Sequence, residues 1–255
     1  MTKITHIIPN LTNGVTYYGK VYTANSKKRV NDRADLMVFA AIPSAFPTEP
    51  TGYDLIGTYT TSRTWTAPED GWFKIEVFGA SGRGSSAYIT EYDYGGTPMW
   101  LYASGSGGGG GGYSCSVVQL KEGDSIDLSC GAVGKNTTAT VNSSIEVYEV
   151  LKVTSGGTDT NPKYGDYCRT GGTGGVGTGG NVENGNGSTG SANKSDDADY
   201  DDTVNCAGGK GGNAYHPDGN KGGDGGSIVN TGISFWGDGK AGFIKISRGN
   251  TNIVA

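Results

Sequence analysis

The chain of 255 residues holds 47 glycines and only 34% hydrophobic residues, where ordinary domains contain about 7% glycine, so glycine serves here as building material. No apolar run approaches the ~20 residues that cross a bilayer, which excludes a membrane-inserted helix. The formal charge of −5, with Lys and Arg scattered, lacks the basic stripe that a nucleic-acid partner would require.

The start, Met1-Thr2-Lys3-Ile4-Thr5-His6, has no basic region leading into an apolar one, so no export signal is expected. Alternation then puts Tyr17, Gly19, Val21 and Thr23 on one face of a strand, and Leu36–Ala41 supplies its partner across the polar residues 26–35. The pattern Leu11-x-x-Gly14-x-x-Tyr17-x-x-x-Val21-x-x-x-Asn25 resembles the second half of a fibronectin type III domain, with Tyr17 as the corner tyrosine. The first half of such a sandwich is missing. Either the chain is a fragment of a longer one, or residues 1–45 are completed by another chain, as an assembly interface. Pro43, Pro47 and Pro50 mark residues 46–54 as a linker, because proline blocks both helix continuation and central-strand pairing.

Residues 55–255 are expected to form one domain. Trp72–Phe78 alternates as a strand with Phe73, Ile75 and Val77 inward. Tyr113–Leu120 and Ser125–Cys130 flank Lys121-Glu122-Gly123-Asp124 and read as a hairpin. Ile145–Val153 and Gly242–Ile246 are further strands, and no glycine-free window keeps a 3.6-residue period, so almost no α-helix is expected. Of the 47 glycines, 40 lie between Gly79 and Lys240.

Three segments carry a triplet register: Gly171, Gly172, Gly174 and Gly175; Gly208, Gly209, Gly211 and Gly212; Gly222, Gly223, Gly225 and Gly226. Period three is that of a polyproline II helix, in which one edge carries side chains and two bare edges admit neighbouring backbones. Such helices make no internal hydrogen bonds, so they must bond one another when buried. A flexible linker would share the composition, but these blocks return repeatedly to aromatic punctuation such as Tyr113 and Phe235-Trp236. Collagen is excluded by the absence of a sustained Gly-X-Y run. Gly175-Val176-Gly177-Thr178-Gly179-Gly180 formally matches a dinucleotide-binding fingerprint, yet it opens no helix and is expected by chance in such a region. The expected fold is all-β: a β-sandwich framing a bundle of glycine-rich polyproline II helices, with a small N-terminal β fragment.

The opening run Thr64–Ala80, the Gly107–Gly112 run entering a strand, and the close Gly237-Asp238-Gly239-Lys240-Ala241-Gly242-Phe243-Ile244-Lys245-Ile246 resemble the glycine-rich modules at phage tail-fibre tips. A similar plan occurs in the glycine-rich domain of the anaplastic lymphoma kinase receptor family and in the distal adhesins of T-even-like phages. The resemblance implies a virion protein that binds a host bacterial surface glycan or protein. It also implies assembly with other fibre chains through residues 1–45, a homotrimer being one option.

The material for catalysis is poor. Only His6 and His216 could serve a Ser-His-Asp or Cys-His arrangement, and His216 sits in the turn sequence Tyr215-His216-Pro217-Asp218-Gly219. No catalytic residue, cofactor or metal is expected. Cys115, Cys130, Cys168 and Cys206 include no C-x-x-C pair and read as free thiols. The acidic run at 196–202 lacks the spacing of a calcium loop and reads as a solvated loop. Recognition has better material, since Tyr and Trp give large contact area at low entropic cost. Candidate receptor-binding residues are Tyr88, Tyr92, Tyr94 and Trp100 in one expected loop, Tyr164 and Tyr167 in a second, and Tyr200 and Tyr215 in a third.

Overall fold

A computed structural model describes residues 49–144, 149–157, 171–193, 195–199, 207–229, 232–234 and 236–250, together with the strands at 17–21 and 37–41. The chain divides into two compact units, Met1–Thr48 and Glu49–Ala255. In the first, β1 (Tyr17–Val21) and β2 (Met37–Ala41) form a two-stranded antiparallel sheet, with Tyr17 opposite Ala41 and Val21 opposite Met37. The two alternating runs pair across the polar stretch between them.

The second unit is all-β, and among the described residues it contains no helix. Its strands are β3 (Tyr53–Tyr59), β4 (Arg63–Thr66), β5 (Gly71–Phe78), β6 (Tyr88–Tyr94), β7 (Thr97–Ala103), β8 (Tyr113–Leu120), β9 (Ser125–Ser129) and β10 (Thr137–Asn142). There follow β11 (Glu149–Val153), β12 (Gly177–Thr178), β13 (Glu183–Gly185), β14 (Ser195–Asp199), β15 (Ile228–Val229), β16 (Gly232–Ile233) and β17 (Phe243–Gly249). β3 begins inside the proline-spaced stretch 46–54, at Tyr53.

Two five-stranded antiparallel sheets, in the orders β13-β8-β5-β17-β3 and β12-β11-β10-β9-β4, face each other as a sandwich. Period-two alternation supplies the core: Phe73, Ile75 and Val77 of β5, Val118 and Leu120 of β8, and Ile244 and Ile246 of β17 meet Ile126, Leu128, Ala139, Val141, Leu151 and Val153 of the other sheet. Trp72, on the alternate face of β5, is only half-buried.

β8 and β9 are not a hairpin. They belong to different sheets, and Lys121–Asp124 is the corner between them. The corner is fixed locally. Gly123 takes a left-handed φ of 89°, Asp124 Oδ2 accepts the Lys121 N–H at 2.9 Å and Asp124 Oδ1 accepts the Ser144 N–H at 3.0 Å. The turn at 67–70 then clamps it from outside, through Ala67 N–H to Asp124 O at 2.8 Å, Gly123 N–H to Ala67 O at 3.0 Å and Glu122 N–H to Asp70 Oδ1 at 2.8 Å. A polar turn between two alternating runs looks the same in sequence whether the second strand returns beside the first or crosses the core.

The glycine segments extend from the strands. Residues 104–112 are buried throughout, and they form the axis of the bundle. Their amides donate with a three-residue recurrence: Gly105, Gly108 and Gly111 to Gly226, Gly223 and Asn220, and Gly107 and Gly110 to Ser191 and Ser188. Gly109 donates to Gly157 at 3.0 Å and Ser106 to Ser85 Oγ at 2.8 Å. Their carbonyls accept on the same recurrence, from Gly209, Gly212 and Tyr215, from Gly172 and Gly175, and from Ser85, Gly82 and Gly79. Each set of three belongs to one neighbouring segment, as a helix of three residues per turn requires. Six described segments surround the axis: 79–85, 154–157, 171–176, 186–191, 207–215 and 220–226.

This explains why the axis lacks the triplet punctuation of its neighbours. Arg83, Thr173, Val176, Lys210 and Asn213 are exposed, because each peripheral segment has an outward edge for a side chain. The axis has none. A Cβ built on Gly107, Gly109 or Gly110 would collide with the carbonyls of Lys210, Thr173 or Asn213 respectively.

Candidate functional site

The segments run between two ends of the unit. Residues 79–86 lead from β5 of the sandwich to β6, residues 104–112 return from β7 to β8, and residues 186–193 lead out again from β13 to β14. At ~3.1 Å per residue, the nine residues of 104–112 hold the two ends roughly 25–28 Å apart. The end opposite the sandwich is a three-stranded antiparallel sheet in the order β14-β7-β6.

β6 and β7 join through Gly95-Gly96, whose φ values of 64° and 91° are both left-handed, as a two-residue hairpin turn of the I′ kind demands. Asp93 Oδ1 accepts the Gly96 N–H at 2.6 Å and closes the turn. The stretch holding Tyr88, Tyr92, Tyr94 and Trp100 is thus a hairpin and not a loop. Its alternation of aromatic, β-branched and polar residues up to a glycine pair is a strand signal that the loop reading overlooked. The acidic run is likewise strand over 195–199, where Asp196 lies opposite Tyr102, Asp197 opposite Leu101 and Asp199 opposite Met99.

The sheet has its own small core. Tyr102, Ala87 and Ile228 are buried together, with Ile89 and Trp100 packed against them, so the β15–β16 hairpin seats Ile228 under β6 and β7. It leaves Val229 57% and Ile233 52% exposed. Glu91, Asp93, Gly95, Gly96, Thr97 and Pro98 are exposed, and Tyr88 and Trp100 are half-buried.

Four candidates therefore lie on one sheet, Trp100 at a register position of opposite parity to Tyr88, Tyr92 and Tyr94. Tyr88, Tyr92 and Tyr94 occupy alternate positions of β6, opposite Ala103, Met99 and Thr97. Trp100 sits on the central strand between Glu91 and Ala198. Tyr164, Tyr167 and Tyr200 lie outside the described residues, as do Cys168 and Cys206.

Tyr215 is at the other end. Its ring lies 6.2 Å from that of Tyr113, its hydroxyl donates to Glu183 Oε1 at 3.0 Å, and its N–H bonds the last turn of the axis. There it belongs to a second cluster, on the outer face of the sandwich, that sequence reasoning missed. Phe78 stacks on Phe243 at 4.4 Å, His216 stacks on Tyr113 at 4.7 Å, and Tyr113 donates to Glu76 Oε1 at 2.8 Å. Burial, with the Cys115 thiol and the Glu76 carboxylate beside it, pushes the Tyr113 phenol far above its ordinary pKa. Burial likewise raises the Cys115 thiol. Both groups are held protonated, so the cluster presents no activated nucleophile. Its geometry is that of a strap: Asp218 pairs with Lys245 at 2.7 Å, and Asn220 Nδ2 donates to Gly79 O and Ala241 O at 3.1 and 2.8 Å, tying residues 214–220 down over β5, β8 and β17.

Among the described residues no group of three or more His, Cys, Asp or Glu side chains is placed to hold a metal ion. Compared with family models, with curated proteins and with solved structures, the chain matches none of them.

Proposed function

We propose that the chain is a non-enzymatic receptor-binding tip of a phage tail fibre or phage-tail-like particle, attaching to a host cell-surface glycan or protein. The observation that carries this reading is the placement of the aromatic hairpin. Tyr88, Tyr92, Tyr94 and Trp100 sit on a separate sheet held away from the sandwich by a bundle whose backbone bonds leave it little freedom. A binding surface on a rigid spacer loses little entropy on contact. The resemblance of residues 64–80 and 237–246 to fibre-tip modules gives the same direction. The unit Met1–Thr48, with one two-stranded sheet described, is the proposed junction with other fibre chains, since a two-stranded sheet is marginal alone. Several copies in one particle would add avidity to weak single contacts.

The test is binding of the purified chain to intact cells of candidate host bacteria, beside a Tyr92→Ala, Tyr94→Ala variant with an unchanged melting curve. Saturable binding that falls at least tenfold in the variant is the expected result. If the folded chain binds no host, or the variant binds equally well, the end sheet is packing against a particle partner and the chain is a structural connector.

A further inference from the structure

We propose that the exposed side of β3 is a contact between copies of this chain; this rests on the reading above in which residues 1–48 join one fibre chain to another. Leu55 and Ile56 stand 58% and 44% exposed, and among the described residues they are the only large exposed apolar side chains adjacent in sequence. Both lie on β3, the edge strand of its sheet, which among the described strands pairs with β17 alone. The ladder slips at this point. Ile246 faces Gly57 and Ser247 faces Leu55, so Ile56 is the extra residue of a bulge. A bulged edge accepts a further strand poorly, which sets aside an extended peptide as the occupant. What the edge offers instead is a pair of aliphatic side chains.

The place where the chain enters the sandwich argues for a second copy. Asn250 N–H donates to Gly52 O at 2.9 Å, and Gly249 has no room for a Cβ against the Pro50 ring. Residues 50–52 are thus seated on the end of β17, immediately before β3. This is the pole away from the bundle, since Tyr53 lies opposite Gly249 while the bundle leaves the same sheet beyond Phe78, opposite Phe243. Copies joined through residues 1–48 all enter their second units here, beside β3, which brings their β3 edges together. Leu55 is level, through Ser247, with Lys74. Counting rises of ~3.3 Å per strand residue and ~3.1 Å per bundle residue, it stands roughly 40 Å from the end sheet, too far to share a receptor contact with Tyr92 and Tyr94. Two side chains fall well short of the ~800 Å² per partner of a stable interface, so separate chains gain little from the contact. Joined copies meet at a high effective concentration, and there a small apolar contact adds to the assembly.

The experiment is analytical ultracentrifugation of the full chain, read as the concentration at which its assembly half dissociates. A Leu55→Ser, Ile56→Ser variant and a Val229→Ser, Ile233→Ser variant are run beside the parent. All four side chains are exposed, so each variant should keep its melting curve, and the second removes apolar surface of the same kind elsewhere. Expected are a parent that associates, a dissociation midpoint raised roughly tenfold by the β3 changes, and a second variant that matches the parent. A parent that stays monomeric throughout the micromolar range overturns the contact. So does a β3 variant that associates as tightly as the parent, or equal weakening in both variants. The receptor reading is judged separately by the host-cell assay: a folded chain that binds no host overturns that reading, while the association data still decide the β3 contact.

Discussion

At the scale of single residues, glycine does two different jobs in this chain, and substitution separates them. Gly109 does not take a left-handed φ; its requirement is space, since a Cβ there would run into the carbonyl oxygens of Thr173 and Gly172. Gly96 has open space around it but a φ of +91°. Gly109→Ala forces backbone apart in a close-packed axis and is expected to cost about 3 kcal/mol. Gly96→Ala meets only the left-handed penalty of about 1–2 kcal/mol. Urea midpoints of the two variants check the order; equal losses would mean that the axis relaxes around a methyl group. The two kinds of glycine are indistinguishable in the sequence, where Gly95-Gly96 and Gly107–Gly112 are both simply runs.

At the scale of elements, three carboxylates hold connections that carry no core of their own. Burial pulls Asp124 upward, but the amides of Lys121 and Ser144 and the hydroxyls of Ser144 and Ser143 outweigh it, so its pKa lies below the usual value. The Gly211 amide, with Lys210 and Lys221 nearby, lowers Asp224 between two bundle segments, and Lys245 lowers Asp218 in the strap. A carboxyl whose folded pKa is depressed contributes stability above its unfolded pKa of about 3.9 and loses it as pH falls through the folded value. Stability should therefore be flat above about pH 5 and decline below about pH 4. Asp124→Asn should shallow that decline in acid urea titrations, and an unchanged acid limb would remove Asp124 from the account. The same elements show what the sequence discloses. Alternation located β5, β8, β9 and β17 because alternate residues of each enter the sandwich core, and the triplets located three of the six peripheral segments, 171–176, 207–215 and 220–226, because each keeps one side chain outward. The axis has no outward edge and hence no period to read. β10 was missed although Thr137, Ala139 and Val141 alternate inward, since its threonines hide the pattern. The corner that carries β9 into the other sheet is held by the amides whose hydrogen bonds Asp124 accepts, from Lys121 and Ser144, which spacing does not encode.

At the scale of the molecule, the described segments of the bundle hold no apolar side-chain core among themselves. Ordering glycine costs more backbone entropy than ordering any other residue, so the cohesion of the bundle depends on the sandwich that fixes its segment ends. Ile75, fully buried between the sheets, belongs to none of the segments named above, yet Ile75→Ala, with a cost of about 2–5 kcal/mol, should lower the melting of sandwich and bundle together. Near-ultraviolet ellipticity from the aromatic clusters and amide exchange of residues 105–111 should report one transition; a bundle that outlasts the sandwich would show that its backbone bonds suffice alone. Tyr88, Tyr92, Tyr94 and Trp100 were legible as neighbours in sequence, and the hairpin that carries them was not, because a hairpin and a loop of the same composition differ only in the cross-strand partners they find.

The axis also sets how the protein answers a pull. Each bond made by residues 105–111 points sideways to a neighbouring segment, while a force that drags the end sheet from the sandwich acts along the segments. Such a load meets the bonds in shear, many at once, and offers no free edge from which to peel them one by one. In the proposed role, tension between a cell and the particle would therefore break the contact at the end sheet before it drew out the spacer.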